Sequence, residues 1–114
     1  MGLVNLNPST VAVNIAEDIR NSDTATAVSA TSTASVALPA NSLRGAYSIY
    51  NVGPATAFVR ENSTVTSALY KHPIPSGYLF ESDFSTSRYT GPISVITASG
   101  TCNLMVTEST VTAA

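Results

Sequence analysis

Apolar and polar positions alternate with a period of two over several short stretches, the spacing of half-buried strands rather than of helices. Ala46-Tyr47-Ser48-Ile49-Tyr50-Asn51 is one such stretch and Ala55-Thr56-Ala57-Phe58-Val59-Arg60 another. With Val52-Gly53-Pro54 as the turn between them, they are predicted to form a hairpin. Glu61-Asn62-Ser63 turns the chain again, and residues 64–70 are predicted as the next strand. Residues 72–77 hold two prolines and end in Gly77, so they read as a rigid loop. Tyr78-Leu79-Phe80-Glu81 follows as a strand. Residues 92–97 are predicted to pair with residues 102–107 across Ala98-Ser99-Gly100-Thr101. In the latter strand Cys102, Leu104 and Val106 share the face that should enter the core, with Asn103 and Thr107 outward.

The first 42 residues differ. Residues 21–42 are almost entirely Ser, Thr and Ala with occasional Val. Thr and Val favour extended backbone, so 24–28 and 35–38 read as thin strands, or as an arm that pairs with a neighbour. A short helical turn over residues 15–20, with Asn14 as its cap, is the single helical candidate. Many short strands punctuated by Gly and Pro predict an all-β chain, an antiparallel β-sandwich or jelly-roll with an extended N-terminal arm. A parallel α/β fold is excluded by the missing crossover helices. The chain has 114 residues, enough for one domain. Residues 1–42 are assigned to the arm and peripheral strands and residues 43–114 to the sandwich core.

Composition narrows the function classes. Charged residues make up 11%, while 16 Ser and 15 Thr occur and the formal net charge is −2. Arg20, Arg44, Arg60, Lys71 and Arg88 are scattered singly, without the basic stripe that nucleic acid or an anionic membrane surface requires. No apolar run approaches the ~20 residues of a membrane-spanning helix. The first residues lack a basic region followed by an apolar run, so a cleaved signal peptide is not expected. A lone Cys102 excludes an internal disulfide.

The catalytic inventory is thin. His72, the only histidine, sits beside Pro73 in the predicted loop and reads as a surface residue. Cys102 lies mid-strand on the apolar side, where a free cysteine behaves as a small hydrophobe. Glu81 and Asp83 stand two apart, a spacing that paired carboxylates use in glycosidases and calcium sites. It is also commonplace in loops, and a solvated role is expected. Asn62-Ser63-Thr64 fits a glycosylation acceptor but reads more simply as a turn. Neither cofactor nor metal is expected. Tyrosines combine apolar area with a hydroxyl, which suits sheet margins and interfaces alike. The candidate interface residues are Val11, Val13, Val28 and Val36 in the N-terminal zone, with Tyr50, Tyr70, Tyr78 and Tyr89.

The succession Leu43-Arg44, Ile49-Tyr50-Asn51-Val52-Gly53-Pro54-Ala55-Thr56-Ala57-Phe58-Val59-Arg60, Pro73-Ile74-Pro75-Ser76-Gly77-Tyr78-Leu79-Phe80-Glu81, Tyr89-Thr90-Gly91-Pro92-Ile93-Ser94-Val95-Ile96 and the run from Gly100 to Glu108 resembles small β-sandwich virion proteins of tailed bacteriophages. That resemblance implies a non-enzymatic structural protein, a capsid decoration (cement) protein on the virion surface. Its partners would be the major capsid protein and copies of itself, as dimer or trimer, with no nucleic acid and no membrane. The alternative is a tail or fibre-tip module recognising a host surface glycan. A glycan-cleaving enzyme would rest on Glu81 and Asp83 alone.

Overall fold

The computed structural model describes the backbone of residues 19–82 and 88–112 and the side chains of residues 23–82 and 88–111. Eight strands follow one another: β1 Ile19–Ala30, β2 Ser35–Leu38, β3 Arg44–Pro54, β4 Ala57–Arg60, β5 His72–Ile74, β6 Leu79–Ser82, β7 Ile93–Thr97 and β8 Cys102–Thr112. They form two four-stranded antiparallel sheets, sheet A in the order β1-β8-β3-β6 and sheet B in the order β2-β7-β4-β5. β1 pairs with β8, β2 with β7, β3 with β6 and β4 with β5. The chain is therefore a nested series of antiparallel pairs wrapped over two layers, the connectivity of an eight-stranded jelly roll. The all-β sandwich expected from the alternation is what forms.

Alternation explains how the layers bury their inner faces. Along β3, Tyr47, Ile49 and Asn51 are buried, while Tyr50 and Val52 between and beyond them are exposed. Cys102, Leu104 and Val106 of β8 are buried and Asn103 is exposed, in line with the sequence pattern. These residues meet Val59, Ile74, Ile93 and Val95 of sheet B in one core. Each fully buried aliphatic side chain there contributes about 1.5–3 kcal/mol. β1 and β2 lie at the edges of their sheets and add Ala30, Ala37 and Leu38 to the same core. Both pair within their own chain.

Neither predicted hairpin forms. β3 and β4 belong to different sheets, as do β7 and β8. At the first corner Gly53, at φ 106°, breaks the strand geometry, and a Cβ there would collide with the Ser76 side chain. The Asn51 side chain donates to the Ala55 carbonyl at 2.8 Å, tying the chain across the layers rather than back along itself. At the second, Gly100 adopts φ 76° and the Thr97 hydroxyl donates to its carbonyl at 2.7 Å.

Two further expectations change. Residues 64–70 hold no strand, only an isolated bridge between Thr66 and Leu69. Asn62 Oδ1 accepts the Thr64 N–H and Thr66 Oγ1 accepts the Ala68 N–H, so local side-chain bonds take the place of ladder bonds. His72 and Pro73 stand in β5 rather than in a loop, whereas Gly77 does take a positive φ of 83°. Ile19 and Arg20 are strand residues; the remainder of the proposed helical turn lies outside the described residues.

Candidate interaction face

The outer face of sheet A follows directly from register. Ala27 of β1 lies opposite Met105 of β8, Met105 opposite Tyr50 of β3, and Tyr50 opposite Leu79 of β6. A single lateral row of apolar side chains thus crosses all four strands. Ala27 is exposed, and Met105, Tyr50 and Leu79 expose 43%, 41% and 53% of their surface. Val52, two residues along β3 from Tyr50, is also exposed. One row over, Ala25 lies opposite Thr107, Thr107 opposite Ser48, and Ser48 opposite Glu81. Ala46, Tyr47, Ser48, Ser82, Thr107 and Ser109 line a depression of about 250 Å³, with Glu81 as its one carboxylate. Small hydroxyls line most of the floor beside an apolar ridge, with little charge to desolvate.

Of the sequence-derived candidates, Tyr50 belongs to this row. Among the described residues Tyr78 is the most exposed of the large apolar side chains; it precedes β6, its carbonyl accepting the Asn51 N–H at 3.0 Å. Tyr70 is away from the row, its ring 4.7 Å from that of Phe58 on sheet B. Tyr89 is half-buried against the core and its hydroxyl donates to the Pro92 carbonyl at 2.6 Å. Val28 packs against the core from β1, and Val36 on β2 is half exposed. Val11 and Val13 lie outside the described residues. Leu79 and Met105 were not among the candidates. The period-two rule that puts Leu104 and Val106 inward also puts Met105 outward, so its position was readable.

The chemically active residues are dispersed. His72 is exposed on β5, its ring 4.8 Å from that of Phe80. Cys102 is buried, and burial pushes its thiol up from the ordinary value. Glu81 is exposed on β6, and Asp83 lies outside the described residues. Among the described residues no three His, Cys, Asp or Glu side chains are grouped so as to hold a metal ion.

Two buried polar clusters were hidden from the sequence. Arg44 is fully buried and donates from Nε to Glu108 Oε2 at 2.7 Å, from Nη1 to the Tyr89 and Gly91 carbonyls, and from Nη2 to the Pro39 carbonyl at 2.6 Å. It joins β3 and β8 to the segments that follow β2 and precede β7, which meet at one end of that strand pair. The buried Tyr47 hydroxyl donates to Glu61 Oε2 at 2.8 Å, and burial first, then that carboxylate, holds the phenol well above its usual value. The chain matches no family model, no curated protein and no solved structure.

Proposed function

We propose that the chain is a non-enzymatic structural protein of a phage virion, a decoration protein that binds the capsid exterior and reinforces it. The observation that carries this reading is the outer face of sheet A. Its exposed row of Ala27, Met105, Tyr50 and Leu79 flanks a hydroxyl-lined floor with a single carboxylate. Apolar contacts drive association, and small hydroxyls cost less to desolvate than Lys or Glu. A protein repeated over a capsid gains from many such contacts through effective concentration. The resemblance of residues 43–108 to phage virion proteins points the same way.

The test uses particles of the phage that encodes the chain, stripped of it and then reloaded. Reloaded particles should release their genome at a higher temperature than stripped ones, and a Tyr50→Glu, Met105→Glu variant should fail to sediment with them. Equal release temperatures would sink the cement role. The glycan reading has one specific observation in its favour, a depression holding hydroxyls and Glu81, with Tyr50 exposed two residues along β3 from its Ser48. Glycan-array binding lost on Tyr50→Ala, without capsid binding, would replace the first reading with the second.

A further inference from the structure

Four strands form the edges of the two sheets, and three are blunted. β5 has three residues, one of them Pro73, which cannot donate. β2 has four, with a register shift between Val36 and Leu38 and Pro39 directly after it. β6 also has four, among them Glu81. Short length, proline, bulges and charge are the devices that stop an edge from pairing with another chain. β1 lacks them. It runs for 12 residues, and no strand among the described residues pairs with its outer side.

From Ser22 to Ala30 the ladder with β8 continues without a register shift. The segment Thr24-Ala25-Thr26-Ala27-Val28-Ser29-Ala30 contains no charge, proline or glycine. Thr26 lies opposite the buried Val106 and Thr24 opposite Glu108, so both point to the inner side of sheet A, yet both are exposed. Among the described residues nothing covers this margin.

We propose that β1 pairs antiparallel with β1 of a second copy, joining two A sheets into one eight-stranded sheet across a two-fold axis. The occupant follows from self-complementarity. A two-fold interface sets the same surface against itself, and Thr26 is the midpoint of the uninterrupted stretch from residue 22 to residue 30. Pairing about Thr26 sets Thr26 opposite Thr26 of the other copy, Ala25 opposite Ala27, and Thr24 opposite Val28. Side chains that face the interior in one copy then face the interior in both, as period-two register requires. Thr–Thr and Thr–Val are favourable cross-strand pairs. Asp23 meets Ser29, so no like charges are opposed.

The pairing is independent of the virion reading and is measured in solution without particles. Sedimentation equilibrium of the full chain from micromolar to millimolar concentration should give a monomer–dimer equilibrium. Amide exchange within residues 23–29 should slow as concentration rises. Thr26→Lys places two ammonium groups opposite each other at an exposed position, and is expected to weaken dimerisation at least tenfold with an unchanged circular dichroism spectrum. Thr26→Cys should form an interchain disulfide on mild oxidation, while Ser63→Cys, at an exposed position away from β1, should not. A monomer at all concentrations, a trimer, or a dimer unaffected by Thr26→Lys overturns the proposal. So does a folded Thr26→Cys chain that does not cross-link.

Discussion

At Arg44, a cation on a strand of a low-charge sandwich is fully buried and bonded to one carboxylate and three carbonyls. Arg44→Met would leave Glu108, at 15% side-chain exposure, without its counter-ion. Loss of one partner of a buried pair costs about 3–5 kcal/mol, a large share of the 5–15 kcal/mol that holds a domain together. Urea unfolding should show that loss, and Arg44→Lys should recover only part of it, because an ammonium cannot span the separate carbonyls that the guanidinium fork reaches. Tyr47 contributes to the response to alkali. Its neutral phenol is favoured in the folded chain, so the associated stability is complete below pH ~10 and lost as pH rises further, at up to about 1.4 kcal/mol per pH unit. Tyr47→Phe should flatten that decline in urea titrations between pH 9 and 11, at the expense of the hydrogen bond to Glu61. Burial also raises the Tyr89 phenol and the Cys102 thiol, so some slope should remain.

At the scale of elements, the β3–β4 corner depends on Asn51. Its Nδ2 donates to the Ala55 and Ile74 carbonyls at 2.8 and 2.7 Å, and its Oδ1 accepts the Gly53 N–H at 2.8 Å. Asn51→Leu keeps the volume but orphans those three groups, and is expected to cost about 2–4 kcal/mol by thermal or urea unfolding. Asn51→Asp should be worse at neutral pH, where a carboxylate would face two carbonyls. This corner also marks where the sequence pattern stopped informing. Alternation located the strands around 46–51, 57–60, 79–81, 93–97 and 102–107, because period two reports which side of a strand meets the core. It carries no information on which strand lies alongside, so two successive strands joined by a Gly turn looked like a hairpin whether or not they crossed between sheets. Residues 64–70 misled for another reason: Asn62 and Thr66 satisfy nearby N–H groups themselves. The interaction row was half legible. Tyr50 stood out by type and Met105 by parity, but the meeting of Ala27, Met105, Tyr50 and Leu79 is a consequence of β1, β8, β3 and β6 being neighbours. Arg44 gave no local sign at all, since its four acceptors come from residues 39, 89, 91 and 108.

For the molecule as a whole, the nested pairing makes the two ends of the described chain mutually dependent. β1 and β8 are paired from Ile19 opposite Thr112 to Ala30 opposite Cys102, so the first strand is completed only by the last. Pairing across that separation requires the closure of a long loop before it gains anything, and sandwiches of this kind fold in milliseconds to seconds. Stopped-flow refolding of the intact chain should fall in that range. Removing residues 2–30 would strip the β8 edge, leaving an 11-residue strand with a free row of backbone groups and the core without Ala30. Such an edge is a template for aggregation. The truncated chain is expected to lose its cooperative thermal transition and to aggregate on concentration. A chain lacking only residues 2–18 should keep both the transition and the β1-dependent dimer. Equal behaviour of the two truncations in light scattering and thermal unfolding would mean that β8 does not need β1, and that the sheet is held together from its β3 side alone.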